Sequence, residues 1–75
     1  MQSGEYAELR AFRAVAEQGT FIGAAKQLRV TPSALSQIIR RLEDRLGTRL
    51  FNRTTRSVRL TEAGQRLHAR LRPAL

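Results

Sequence analysis

The apolar positions of this chain recur at helical intervals in four stretches and alternate in a fifth, shorter one. Between residues 32 and 46, Leu35, Ile38, Ile39, Leu42 and Leu46 share one side of a helix with a period of about 3.6 residues. Pro32 fits the first helical turn, where no amide hydrogen is needed, and Thr31 before it can cap the free amides. A helix is therefore predicted over 32–46, stopped by Gly47. Upstream, Leu9, Phe12, Val15 and Ala16 form a stripe while Glu8, Arg10, Arg13 and Glu17 face away, which predicts an amphipathic helix from Tyr6 to Gln18 ended by Gly19. Residues 1–4 carry no such pattern and read as disordered. Thr20 then caps a short second helix on which Phe21, Ala24, Ala25 and Leu28 share a face, the alanine pair letting two helices cross closely. Arg29, Val30 and Thr31 leave room only for a sharp corner, with Val30 expected to cap the core inside it and no glycine to ease the turn.

Beyond Gly47 the period changes. Segments 49–52 and 57–60, the latter alternating Val58 and Leu60 with Ser57 and Arg59, flank Arg53-Thr54-Thr55-Arg56 and predict a β-hairpin with a basic, hydroxyl-rich tip. Thr61 and Glu62 open a last helix, 62–75, which Gly64 weakens slightly at its start. Leu67, Leu71 and Leu75 repeat every four residues along it. A stripe of this kind must bury itself against the core or against another chain. The fold class predicted is mainly α: three helices and a two-stranded hairpin, followed by a terminal helix.

The face of the third helix opposite its apolar stripe carries Ser33, Gln37, Arg40 and, further along, Asp44. Small hydroxyls permit close approach to a surface, glutamine can pair with an adenine edge, and arginine can pair with guanine or a phosphate. Asp44 would be repelled by phosphate, so the N-terminal half of the helix is the part offered to a polyanion. Charge supports that direction. Of the net +8, residues 26–59 hold Lys26 and eight arginines against Glu43 and Asp44. All but one of the 14 basic residues are arginine, whose planar fork suits phosphates and base edges. Composition alone leaves this open against a coding bias toward arginine on an ordinary solvated surface.

Other chemistries lose ground quickly. Seventy-five residues make one domain, able to bury only about 60% of its unfolded surface, so a large enclosed active site is not expected. There is no cysteine and one histidine, which removes disulfides and makes a metal site improbable. His68 has no second ligand or nucleophile partner and is read as solvated or interfacial. Glu43 lies beside the apolar stripe among arginines and is read as half of a structural ion pair. No enzyme signature, cofactor motif, signal peptide or membrane-length apolar run is present, and the expected location is the cytoplasm, on the nucleoid.

The ordered set Leu9-x-x-Phe12, Gly19-Thr20-Phe21, Ala24-Ala25, Leu28, Ala34-Leu35-Ser36, Ile39, Leu42-Glu43, Leu46-Gly47, Leu50-Phe51, Arg53, Arg56 and Leu60-Thr61-x-x-Gly64 resembles the N-terminal DNA-binding region of LysR-type transcriptional regulators. It spans nearly the whole chain. The resemblance implies a winged helix-turn-helix over residues 1–60 and a linker helix over 61–75 through which two subunits pair, on an inverted-repeat operator in double-stranded DNA. It also implies a larger C-terminal domain that binds a small-molecule effector, absent here, so the chain looks like an excised DNA-binding module. Carried over by position, Ser36 and Gln37 are the groove contacts, Thr31 and Ser33 lie at the helix start and Arg40 on the backbone. Arg53, Thr54 and Arg56 fall on the wing, and Leu67, Leu71 and Leu75 on the dimer face.

Two departures bear on that transfer. Family members often have Gln-Pro where this chain has Pro32-Ser33, which shifts base reading toward Ser33, Ser36 and Gln37. Gly23 stands where a larger polar residue is common, loosening the second helix. The rival reading is a basic module that binds protein or RNA without base-specific DNA readout. Against single-strand RNA, Tyr6, Phe12, Phe21 and Phe51 all fall where core packing is expected to claim them.

Overall fold

The computed structural model describes residues 3–53 and 57–71. Helices α1 (Ser3–Gln18), α2 (Phe21–Leu28) and α3 (Pro32–Leu46) are followed by strands β1 (Phe51–Arg53) and β2 (Val58–Leu60), which pair antiparallel, and by α4 (Glu62–Leu71). This is the mainly α arrangement that the periodicity predicts, and the winged helix-turn-helix that the resemblance implies. The first helix begins earlier than its apolar stripe requires, so Ser3 and Gly4 are helical, not disordered.

Helix boundaries follow their capping residues. Thr20 and Thr31 each accept a backbone N–H through the side-chain oxygen, from Gly23 and Ala34 at 3.0 Å. Gly19 and Gly47 take φ values of 74° and 71°, the left-handed backbone that closes α1 and α3. Arg29 does the same for α2 at φ 62°. Its N–H donates to Lys26 O at 3.3 Å while the Val30 N–H reaches back to Ala25 O at 3.0 Å, a Schellman closure with arginine where glycine would sit without strain. The left-handed backbone costs a residue with a Cβ about 1–2 kcal/mol. Arg29→Gly is therefore expected to stabilise the fold by about 0.5–1 kcal/mol, once the extra unfolded-chain entropy of glycine is subtracted. A urea titration in which the midpoint stays put or falls would show that the corner carries no such strain. The same closure leaves Val30 38% exposed, so it does not cap the core as its apolar character suggested.

Packing converges on two phenylalanines. Phe12, Val15, Ala24, Ala25, Leu35, Ile39 and Leu42 from the three helices are buried together with Leu50 and Phe51 at the root of the wing. The Phe12 and Phe51 rings meet at 5.2 Å between centroids, and Phe21 stands edge-on to Phe51 at 6.4 Å. Truncating such a ring would cost about 3–5 kcal/mol, so Phe51 ties the wing to the helical core. Two residues assigned to that core lie outside it. Leu46 is 45% exposed and Tyr6 54%, since each sits near the end of its helix; Arg10 covers the Tyr6 ring at 5.8 Å.

The hairpin is shifted from the segments that alternation suggested. Its register runs from Phe51 opposite Leu60 to Arg53 opposite Val58. At Leu50 the ladder is half made: its carbonyl still accepts the N–H of Thr61, the next residue across, at 3.0 Å, but its own N–H is diverted to the Glu43 carboxylate at 2.8 Å. One consequence is that Arg53 belongs to a strand and not to the tip. On the outer edge of β2, the Val58 N–H donates to Gly19 O at 3.2 Å.

Candidate nucleic-acid interface

Burial of Leu35, Ile39 and Leu42 on one side of α3 fixes what the other side presents. Ser33, Gln37 and Arg40 are exposed and Ser36 is half-buried. Gln37 has no hydrogen-bond partner among the described residues, so both its amide oxygen and its NH2 group are available. Thr31 is exposed at the helix start, and its oxygen is engaged by the Ala34 N–H; the hydroxyl hydrogen remains free to donate.

On the wing side, Arg53 leans across to the helices. Its Nη1 donates to Ser36 Oγ at 3.2 Å, and its guanidinium carbon lies 4.6 Å from the centre of the Phe21 ring. Ser36 and Arg53, assigned separately to helix and wing, thus form one contact. Thr54 and Arg56 lie outside the described residues, as does Leu75. A groove runs between α3 and β1, with Arg40, Arg49, Asn52 and Arg53 contributing donors and Asp44 an opposing carboxylate. Arg49 was missed by the sequence reading, which gave it a strand position and no role. Its place in the basic run just past the Gly47 stop was the available signal.

Glu43 lines the floor of that groove, and its environment differs from the ion pair expected of it. The residue is 9% exposed, and Oε2 accepts the backbone N–H groups of Leu50 at 2.8 Å and Phe51 at 3.3 Å. The carboxylate is a bracket joining the end of α3 to the start of the wing. An exposed ion pair does form nearby, between Arg45 and Glu8 of α1.

The last helix is seated on the domain. Gly64 is buried, and Leu67 and Leu71 are half-buried against the core. Thr61 Oγ1 accepts the Gly64 N–H at 3.0 Å and donates to Arg49 O at 2.7 Å. His68 packs edge-on to Phe12 at 6.3 Å, and its Nε2 is buried without a partner among the described residues. No group of acidic, histidine or cysteine residues that could hold a metal occurs among the described residues. No helix among them is long and apolar enough to cross a membrane.

Comparison with known proteins agrees with this geometry. The family model described as "Bacterial regulatory helix-turn-helix protein, lysR family" matches residues 6–65. The HTH-type transcriptional regulator PgrR of Escherichia coli is 55% identical over 75 residues, covering 100% of this chain and 25% of that protein. The HTH-type transcriptional regulator CrgA of Neisseria meningitidis is 53% identical over 57 residues, covering 76% of this chain and 19% of that protein. The chain therefore spans a quarter or less of the length of these relatives. Among solved structures, the CbnR DBD–DNA complex superposes with a TM-score of 0.88 at 34% identity, covering 99% of this chain and 82% of that one. The BenM DBD/catB site 1 DNA complex gives 0.82 at 36% identity, covering 85% and 71%.

Proposed function

The chain belongs to the lysR family of bacterial regulatory helix-turn-helix proteins, and from that premise we propose that it is the module with which a transcriptional regulator binds double-stranded DNA sequence-specifically. The observation that carries this is the exposed polar face of α3, Ser33, Gln37 and Arg40, opposite a buried stripe and continuous through Ser36 with Arg53 of the wing. The helix enters the major groove N-terminus first, and the wing follows the backbone or the minor groove. Two neighbours solved as DNA complexes share the fold.

Ser33, Ser36 and Gln37 read base edges; Thr31, Arg40, Arg53, Thr54 and Arg56 hold phosphates or the minor groove. Residues 1–60 act as the DNA-binding unit and 61–75 as a linker helix through which two copies pair on an inverted repeat. Leu67 and Leu71 retain exposed area for that contact beside what they bury on their own core, and Leu75 extends the stripe. Any small-molecule effector acts through sequence outside this chain. The module acts in the cytoplasm, on the nucleoid, as a binding module and not as an enzyme.

The test begins with selection of a preferred site from a random duplex pool. On that site Gln37→Ala is expected to cost about 1–3 kcal/mol, and much less on unrelated DNA. Equal losses on both would reduce Gln37 to a bystander. The same titration in the ultracentrifuge, on duplexes carrying one or two half-sites, reads the stoichiometry; a single chain on the two-site duplex would remove the dimer. Single-stranded RNA and anionic vesicles serve as competitors, and preference for either would favour the rival binding module.

A further inference from the structure

An arginine on a short exposed strand ordinarily samples many rotamers, a freedom that a bound state must give up. Arg53 is not in that position. Its guanidinium carbon lies over the Phe21 ring, 4.6 Å from the centroid, and Nη1 donates to Ser36 Oγ at 3.2 Å. Phe21 is itself held in place. It is the first residue of α2, directly after the Thr20 cap, and stands edge-on to Phe51 with 71° between the rings. Wing strand, α2 and the DNA-facing turn of α3 therefore meet at one guanidinium.

We infer that Phe21 is a positioning residue for DNA binding, holding Arg53 in advance in the posture in which it meets a phosphate, so that wing and recognition helix reach the duplex as one surface. The two interactions use different parts of the same group. The quadrupole of the ring's π system attracts the cation as a whole, about its central carbon. Phosphate pairs with N–H groups along the edge, in the plane of the fork. The ring contact thus restrains the side chain, and the bond to Ser36 takes only one of its N–H donors, leaving others for an anion. Periodicity alone marks Phe21 as plain core; the half-buried ring with a cation over it has a second task. This inference rests on the DNA-binding reading above, and its test has one arm that uses no DNA.

In the free 75-residue chain, NMR of the arginine side chains should show the Arg53 Nε–H and guanidinium protons shifted upfield by the ring. The shift should vanish in Phe21→Leu, which keeps an apolar filler, and persist in Phe21→Tyr. The second arm measures affinity for the selected duplex over a range of salt, for folded samples well below their melting temperatures. Arg53→Ala should lower the salt slope by about one unit. Phe21→Leu should weaken binding by about fivefold with the slope unchanged, because the arginine is still present but unordered, and Phe21→Tyr should bind within about twofold of wild type. The double variant should bind no more weakly than Arg53→Ala alone. Full additivity of the two losses, or an unshifted Arg53 resonance, would mean that the ring only fills the core and would overturn the inference. A wild-type chain with no salt-dependent duplex binding would overturn the DNA reading itself, while the NMR arm would still decide whether the stack exists.

Discussion

Gly64→Ala is expected to destabilise the domain by about 3 kcal/mol, although alanine is the better helix former by about 1 kcal/mol. The sign is decided by what a Cβ would meet. Built on this backbone it would lie 2.2 Å from Leu50 O, 2.9 Å from Leu60 Cδ2 and 3.2 Å from Leu50 C. A side chain could swing aside, but the carbonyl cannot: it already accepts the Thr61 N–H, and Leu50 is itself buried. Relief requires α4 to lift from the wing root, loosening the Thr61 hydroxyl from Arg49 O and exposing Leu67. For a domain of this size the whole stability is about 4–11 kcal/mol. The melting temperature should therefore drop by about 15 °C. Thermal melts of Gly64→Ala beside Gly64→Ser would check it, and a variant melting at or above wild type would mean that the helix can shift freely.

Glu43→Ala should be comparably damaging, at about 3 kcal/mol, because it strands two N–H groups at the buried root of the wing. Glu43 also closes the third helix through its own carbonyl, which accepts from Gly47 at 2.8 Å and Thr48 at 3.2 Å. Alanine keeps that carbonyl and deletes the other bond set. Glu43→Gln discriminates between roles. Both amides converge on a single oxygen, Oε2, and a glutamine oxygen can occupy its place, so the loss should shrink to about 1 kcal/mol. Melting curves with hydrogen exchange at the Leu50 and Phe51 amides measure both. If glutamine proves as harmful as alanine, charge rather than hydrogen bonding is the source, and the ion pair suggested by the surrounding arginines regains its standing.

These two residues mark where the chain stops being locally legible. Helices α1 to α3, with their threonine caps and glycine stops, were readable because each depends on neighbours within a turn or two. The exposed polar side of α3 was readable for the same reason, since the position of Gln37 opposite Ile39 is a matter of angle. The hairpin was foreseen but not its register, which is set by Glu43 and Thr61 from outside the strands. Gly64 looked like a mild defect in a helix start, whereas its use is the close approach of a carbonyl distant in sequence. Arg53 and Phe21 were sorted into wing and core because nothing in the spacing brings residues so far apart together. Leu46, Tyr6 and Val30 show the opposite error: apolar character assigns a side chain to the interior only if the fold has something to put over it.

The Gly19 carbonyl that accepts from Val58 has a consequence for how such domains tolerate crowding. A hairpin of two three-residue strands is marginal in water and leaves strand edges onto which another chain can add. Here the turn between the first two helices supplies a backbone acceptor to the outer side of β2, acting as a stub of a third strand, and Arg59 adds an exposed charge beside it. Molecules gathered side by side along a duplex would thus meet one another with that edge already engaged, which favours side-by-side occupancy over strand exchange and aggregation.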